Sequence, residues 1–235
     1  MESHHHDLKP GETMAFETRG SVWNWAWRYD LFIGFATLGR EQAFRRTIAD
    51  LAQLQPREVV LDVGCGTGTL AMIARQRVGE TGRVSGIDPS RQMIARARRK
   101  AERAGLTIDF QIGVIEQLSF PNQSLDVVLS TFMMHHLPDD LKRQGLAEIV
   151  RVLKPGGRLL VVDMKGPAGP WKSRIADQPA LMEEAGFSQV ETGETQFSRF
   201  PGLGFALGAS VGQERERRPG SSSPRQPPHH SVYLR

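Results

Sequence analysis

Cysteine is almost missing from this chain: Cys65 is the only one among 235 residues. No internal disulfide can form, and a reducing cytosol is compatible with the composition. Long apolar runs are missing as well, so no segment reads as a transmembrane helix. The opening Met1-Glu2-Ser3-His4-His5-His6-Asp7 lacks the apolar stretch of a secretory signal. A cytoplasmic location is expected. A strong excess of one charge is also lacking in the body. Residues 213–235 hold five Arg and two Glu, a net of +3, which leaves residues 1–212 at +1. The one basic cluster in the body, Arg91, Arg96, Arg98, Arg99, Lys100 and Arg103, is interleaved with Ile94, Ala95 and Ala97. It reads as the solvated face of a helix, so nucleic acid is not expected as a partner. No internal repeat is visible.

The most informative stretch is Val59-Val60-Leu61-Asp62-Val63-Gly64-Cys65-Gly66-Thr67-Gly68. An apolar run into Asp62 reads as a buried parallel strand, the alternating glycines as a turn, and Thr69-Leu70-Ala71-Met72 as a helix start. Such glycines allow close backbone approach to a ligand, and the free amides of the helix start face it. A Walker loop would need Gly-Lys-Ser/Thr, but Gly68-Thr69 has no Lys. The dinucleotide fingerprint Gly-x-Gly-x-x-Gly fails because Gly68 comes one residue early. Acid at the strand end suits a cationic or hydroxyl-bearing ligand better than a pyrophosphate.

Strands are expected near 58–63, 83–87, 107–112, 125–130 and 157–163, with helices near 40–53, 69–78, 90–104 and 139–153. Asp88-Pro89-Ser90 opens the third of these helices, and Lys154-Pro155-Gly156-Gly157 is a stop signal after the fourth. A short helix over Pro179–Ala185, a strand from Gly186-Phe187 and a last strand in 197–210 complete the pattern. This alternation predicts right-handed βαβ units, an α/β doubly wound fold and a mostly parallel seven-stranded sheet. The domain reading is a loose terminus (1–20), a helical lid (21–55), the α/β domain (56–210) and a basic tail (211–235) whose composition cannot build a core. Asp88 ends the second strand about 20 residues beyond the glycine turn, where a carboxylate accepts from a ribose diol; capping of its helix is the alternative role.

Five ordered segments carry a family resemblance. They are Asp62-Val63-Gly64-Cys65-Gly66-Thr67-Gly68, Ile112 to Pro121, Ser124 to Ser130, His135-His136-Leu137, and Leu146 to Leu159 with its Leu153-Lys154-Pro155-Gly156-Gly157 turn. Together they resemble class I S-adenosylmethionine-dependent methyltransferases, in the branch of ubiquinone/menaquinone-biosynthesis and related small-molecule enzymes. The resemblance implies a Rossmann-like fold and S-adenosylmethionine as cofactor. It implies cofactor contacts from Asp62, Gly64, Cys65, Gly66, Thr67, Gly68, Asp88, Pro89, Met93, Val114, Ile115 and Thr131. It also implies Tyr29 as a lid residue near the cofactor. The chain departs from the family at Val114, where an acidic residue usually accepts from the adenine amino group; here the backbone of Val114 and Ile115 takes that place.

A sulfonium methyl is already electrophilic, so alignment and exclusion of water matter most and a base is optional. His135 is the candidate base, weighed against a structural histidine under the loop. Val22 to Phe35, with Trp23, Trp25 and Trp27, reads as a lid forming an apolar acceptor pocket, or as cover for the sheet edge; its Trp residues also suit contact with a membrane surface. No metal is expected, His4–His6 being read as incidental. The expected function is methyl transfer to a small apolar acceptor: a quinone, a lipid or a secondary metabolite. The alternatives are a non-catalytic cofactor-binding protein, and an NAD-dependent oxidoreductase, disfavoured by the absence of Tyr-x-x-x-Lys. No Asn/Asp-Pro-Pro-Tyr/Phe follows the fourth strand, so a flipped base is not the expected substrate.

Overall fold

A computed structural model of the chain describes residues 18–20, 40–166, 173–195 and 202–211. Tyr29, the Trp23–Trp27 segment, His4–His6 and the basic tail lie outside the described residues.

The elements are α1 (Glu41–Leu51), β1 (Val59–Val63), α2 (Thr69–Val78), β2 (Arg83–Asp88), α3 (Arg91–Arg103), β3 (Asp109–Ile112), β4 (Leu125–Thr131), α4 (Asp139–Val152), β5 (Leu153–Met164), α5 (Gln178–Ala185), β6 (Phe187–Glu194) and β7 (Leu203–Ser210). They form a seven-stranded sheet in the order β3-β2-β1-β4-β5-β7-β6. β1 to β5 pair in parallel, while β7 runs antiparallel between β5 and β6. The chain moves outward from β1 to β3, then returns to place β4 on the other side of β1. In open α/β sheets this reversal leaves a ligand crevice beyond the carboxyl ends of the strands involved.

Alternation along the central strands divides the apolar residues between two cores. Val60, Val127, Leu129, Leu160 and Val162 pack with Phe44, Leu70 and Ile94 from α1, α2 and α3. Leu61, Val128, Leu159 and Val161 pack with Leu146 and Met182 from α4 and α5. Phe44 and Ile48 are almost fully buried, and burying side chains of this size stabilises by roughly 1.5–3 kcal/mol each. Thus α1, grouped with the lid on sequence grounds, is a layer of the sheet-covering body. Its amphipathic face is consumed by that packing, and Arg158 of β5 ties its end down by donating to the Ala52 and Gln53 carbonyls.

The Lys154–Gly157 stop also differs from its expected form. α4 ends at Val152 and β5 begins at once, with Pro155 and Gly156 (φ 77°) inside the strand span. Pro155 offers no ladder donor, and the pairing with β4 jumps from Leu125↔Leu153 to Val127↔Arg158 across this kink. Glycines of the first turn are required by space as well as by backbone. Gly68 (φ 78°) caps α2, and a Cβ there would lie 2.6 Å from Phe110 Cζ.

Candidate active site

β1 delivers Asp62 to the crevice, and the glycine turn folds away beneath it. Gly64 has φ 69°, and a Cβ on it would fall 2.5 Å from Met133 Cγ, so the turn runs close under the loop that follows β4. Asp62 is 1% exposed, and neither carboxylate oxygen has a hydrogen-bond partner. Burial pushes its pKa up to about 7; the Arg45 guanidinium opposes this rise, and Asp88 adds to it. The Ala71 amide also favours the anion without closing a hydrogen bond on either oxygen. A buried, unsatisfied carboxylate is costly, and such groups are uncommon in native folds.

Arg45 crosses to this point from α1. It is 5% exposed, and its Nη1 donates to Thr131 Oγ1 at the end of β4, 3.2 Å away. Its Nε lies 3.6 Å from Glu41, and its guanidinium sits 5.7 Å and 5.9 Å from the ring centres of Phe44 and Phe132. Sequence reasoning passed over this residue. The signal was there: Arg45 precedes Ile48 and Ala49 by one helical turn, on the same buried arc. Arg45→Met should cost about 3–5 kcal/mol at pH 8, because Asp62 and Glu41 then lose their counter-charge. The cost should shrink at pH 5, where Asp62 is protonated. Unfolding at the two pH values checks this; an equal loss at both would separate Arg45 from Asp62.

Asp88 does two backbone jobs. Its Oδ2 accepts from the Gly66 amide at 3.0 Å and its Oδ1 from the Ser90 amide at 2.8 Å. Burial raises its pKa to about 6, and the bonds from Ser90 and Gly66 limit the rise. A carboxylate has about four acceptor sites, so capacity for a diol remains. Ser90 caps α3 by accepting from the Met93 amide. Met93 is buried and Pro89 half-buried. The Thr67 hydroxyl accepts from Lys100 of α3, which also donates to Thr69, so α3 braces the glycine turn. Cys65 is buried in that turn; burial above all, with Asp62 and Asp88 adding, pushes its thiol well above the usual range.

At the far side, Val114 and Gln117 close a one-rung bridge, and Val114 is 6% exposed. Ile115 turns into the core against Gly145 of α4, where a Cβ would meet it at 2.7 Å. Val114 and Ile115 therefore present no polar side chain. Two residues on from Val114, Glu116 keeps Oε2 buried without a partner.

Beyond β4 a short 3-10 turn, Met134–His136, carries the histidines. His135 Nδ1 lies 2.6 Å from Asp163 Oδ1, and the His135 amide donates to Asp163 Oδ2 at 3.1 Å. Asp163 is 2% exposed, and its Oδ1 also accepts from the Met164 amide. An acceptor at Nδ1 selects the tautomer in which Nε2 carries the lone pair. The His136 ring lies tilted at 45° against His135, centres 4.0 Å apart, and burial foremost, then the charge of His135, lowers its pKa to about 4. Asp163 was missed in the sequence, although Leu159 to Asp163 repeats the pattern of an apolar strand ending in acid that singled out Asp62. Among the described residues, no three His, Cys, Asp or Glu are grouped to hold a metal ion, and no helix is long and apolar enough to cross a membrane.

Comparison with known proteins agrees with this architecture. Residues 60–157 match the family described as "Methyltransferase domain". The chain is 31% identical over 170 residues to a ubiquinone/menaquinone biosynthesis C-methyltransferase of Hydrogenovibrio crunogenus, covering 72% of this chain and 66% of that one. It is 37% identical over 140 residues to a demethylmenaquinone methyltransferase of Thermus thermophilus, covering 60% of this chain and 62% of that one. The chain thus spans just under two thirds of these relatives. A solved S-adenosylmethionine-dependent methyltransferase from Aquifex aeolicus shares the fold with a TM-score of 0.61 at 24% identity, over 71% of this chain and 89% of that one. On the matched domain and the doubly wound sheet with its glycine turn at the switch point, the chain belongs to the class I S-adenosylmethionine-dependent methyltransferases, and it is similar to the ubiquinone/menaquinone-biosynthesis enzymes among them.

Proposed function

We propose that this protein transfers the methyl group of S-adenosylmethionine to a small acceptor of the quinone type. The observation that carries the reading is the unpartnered Asp62 carboxylate at the switch point, buried within electrostatic reach of the Arg45 guanidinium. A buried carboxylate with a buried guanidinium near enough to feel its charge complements an amino-acid zwitterion. Asp62 would take the ammonium and Arg45 the carboxylate, both being held in place before the ligand arrives. Asp88 would accept from the ribose hydroxyls, and the Gly64–Gly68 turn would lie against the middle of the cofactor. Val114 and the Val114–Ile115 backbone would border the adenine. A nicotinamide dinucleotide has no zwitterion to satisfy this pair.

When bound, the cofactor supplies an electrophilic methyl group. The chain's own part is to align the acceptor, exclude water and take up the acceptor's proton. His135 Nε2 is the proton acceptor in this reading, and Asp163 is a positioning residue that holds the ring and stabilises the imidazolium. The relatives' names point to quinone acceptors.

The experiment is turnover with methyl-labelled S-adenosylmethionine and a panel of reduced quinones, beside calorimetry with S-adenosylhomocysteine. Micromolar binding and label transfer are expected. Binding without transfer to any acceptor would favour a cofactor-binding protein, the reading to which Val114 lends weight. No binding at all would end both.

A further inference from the structure

Buried polar side chains without partners are not scattered through this protein. Among the described residues, Asp62 and Glu116 keep such atoms near the end of β1 and after β3, and Ser130, Ser173, Gln178 and Thr195 keep them on β4 and around α5 and β6. Asp62 has a use in the methyl-transfer reading; Ser173, Gln178 and Thr195 have none.

Gln178 is the extreme case. It opens α5, is 0% exposed, and leaves both Nε2 and Oε1 without a hydrogen bond. Ser173 and Thr195, 4% and 7% exposed, have unpartnered hydroxyls. A chain of contacts connects this region to the histidine. Asp163, which holds His135, pairs across the sheet with Gly204. A Cβ on Gly204 would meet Ile175 at 2.8 Å, so the 3-10 turn Ile175–Asp177 lies directly over this point. Ser173 and Gln178 flank that turn. Thr195 donates its amide to the Leu203 carbonyl next to Gly204.

We infer that Ser173, Gln178 and Thr195 form a polar extension of the acceptor pocket, in which Gln178 reads a carbonyl and a neighbouring hydroxyl on the acceptor. A carboxamide presents one donor and one acceptor on a single edge, the complement of such a pair, as glutamine does with a base edge. A ring carrying both groups would satisfy Gln178 at one end while its reacting end faces His135. A purely hydrocarbon acceptor would leave the carboxamide unpaired, and sites built this way reject ligands that lack the matching group. This assignment rests on the methyl-transfer reading for the identity of the pocket.

The test uses the full chain, with and without S-adenosylhomocysteine. Calorimetry compares a hydroxynaphthoquinone whose hydroxyl adjoins a carbonyl with naphthoquinone lacking that hydroxyl. The native protein should bind the hydroxylated probe at least about 10-fold more tightly. Gln178→Met, similar in length and without the amide, should bind the two probes alike and melt no lower than the native protein. If Gln178→Met does not fold, Ser173→Ala serves in its place and should reduce the preference. No preference in the native protein, or the same preference in the variant, overturns the assignment. The comparison without S-adenosylhomocysteine reads the extension alone, so failure of cofactor binding is told apart from failure at Gln178.

Discussion

Asp62→Asn should weaken S-adenosylhomocysteine binding by about 100-fold, a loss expected when one member of a buried charge pair is removed. The same change should stabilise the unliganded protein. The folded carboxyl titrates near 7 against an ordinary 3.8, because burial penalises the anion. Between these values the native state holds a proton that the unfolded state has released. Stability therefore falls as pH rises through that window, by ~4 kcal/mol if the full shift is realised. Asn keeps the shape and never carries the charge, so its stability should be flat where the native protein declines. Binding should show the opposite trend. An ammonium ligand needs the ionised carboxylate, so native affinity should rise up to about tenfold per pH unit below 7. Asp88, near 6, should steepen that slope at the acid end. Calorimetry and unfolding from pH 5 to 8 check both halves. A variant that binds normally, or melts lower at pH 8, would remove Asp62 from this role.

Asp163→Asn should lower kcat by about 10²–10³-fold and leave S-adenosylhomocysteine affinity unchanged. Base catalysis accounts for that range. Asn can turn its amide toward Nδ1, which favours the tautomer with the proton on Nε2 and removes the lone pair the acceptor needs. His135→Ala should be as slow, and the double variant no slower than either, since the two act as one unit. Restored turnover at higher pH in Asp163→Asn, or native turnover in either variant, would mean that alignment alone suffices and His135 is structural.

The sheet was legible because each central strand carries its own two-core pattern and ends in a turn with positional chemistry. Val59 to Gly68, Asp88-Pro89-Ser90 and the apolar runs of β4 and β5 each locate an element and one end of it. What escaped was set by tertiary packing. Arg45 looks like one more arginine in a surface helix until α1 is laid on the sheet beside Thr131, 86 residues away. Asp163 had the right local signature, but its meaning depends on the neighbouring strand bringing His135 to it. Gln178 has no signature at all: a glutamine at a helix start is ordinary, and only its complete burial marks it. The direction of β7 was equally hidden, since its hydrophobic pattern is the same whichever way it runs.

The crowding of unmatched polar groups at one edge of the sheet bears on how the molecule moves. Two rigid cores lie below that edge, and there the helices and strands satisfy one another. At the edge, the side chains gain little from staying closed in the absence of a ligand. Opening should therefore begin there, through partial excursions that leave both cores intact, and amide protons near Asp62, His135 and Gln178 should exchange sooner than those at the opposite end. A ligand that supplies the missing partners slows these excursions as it binds. Cofactor and acceptor thus complete the cohesion of the protein as well as react in it.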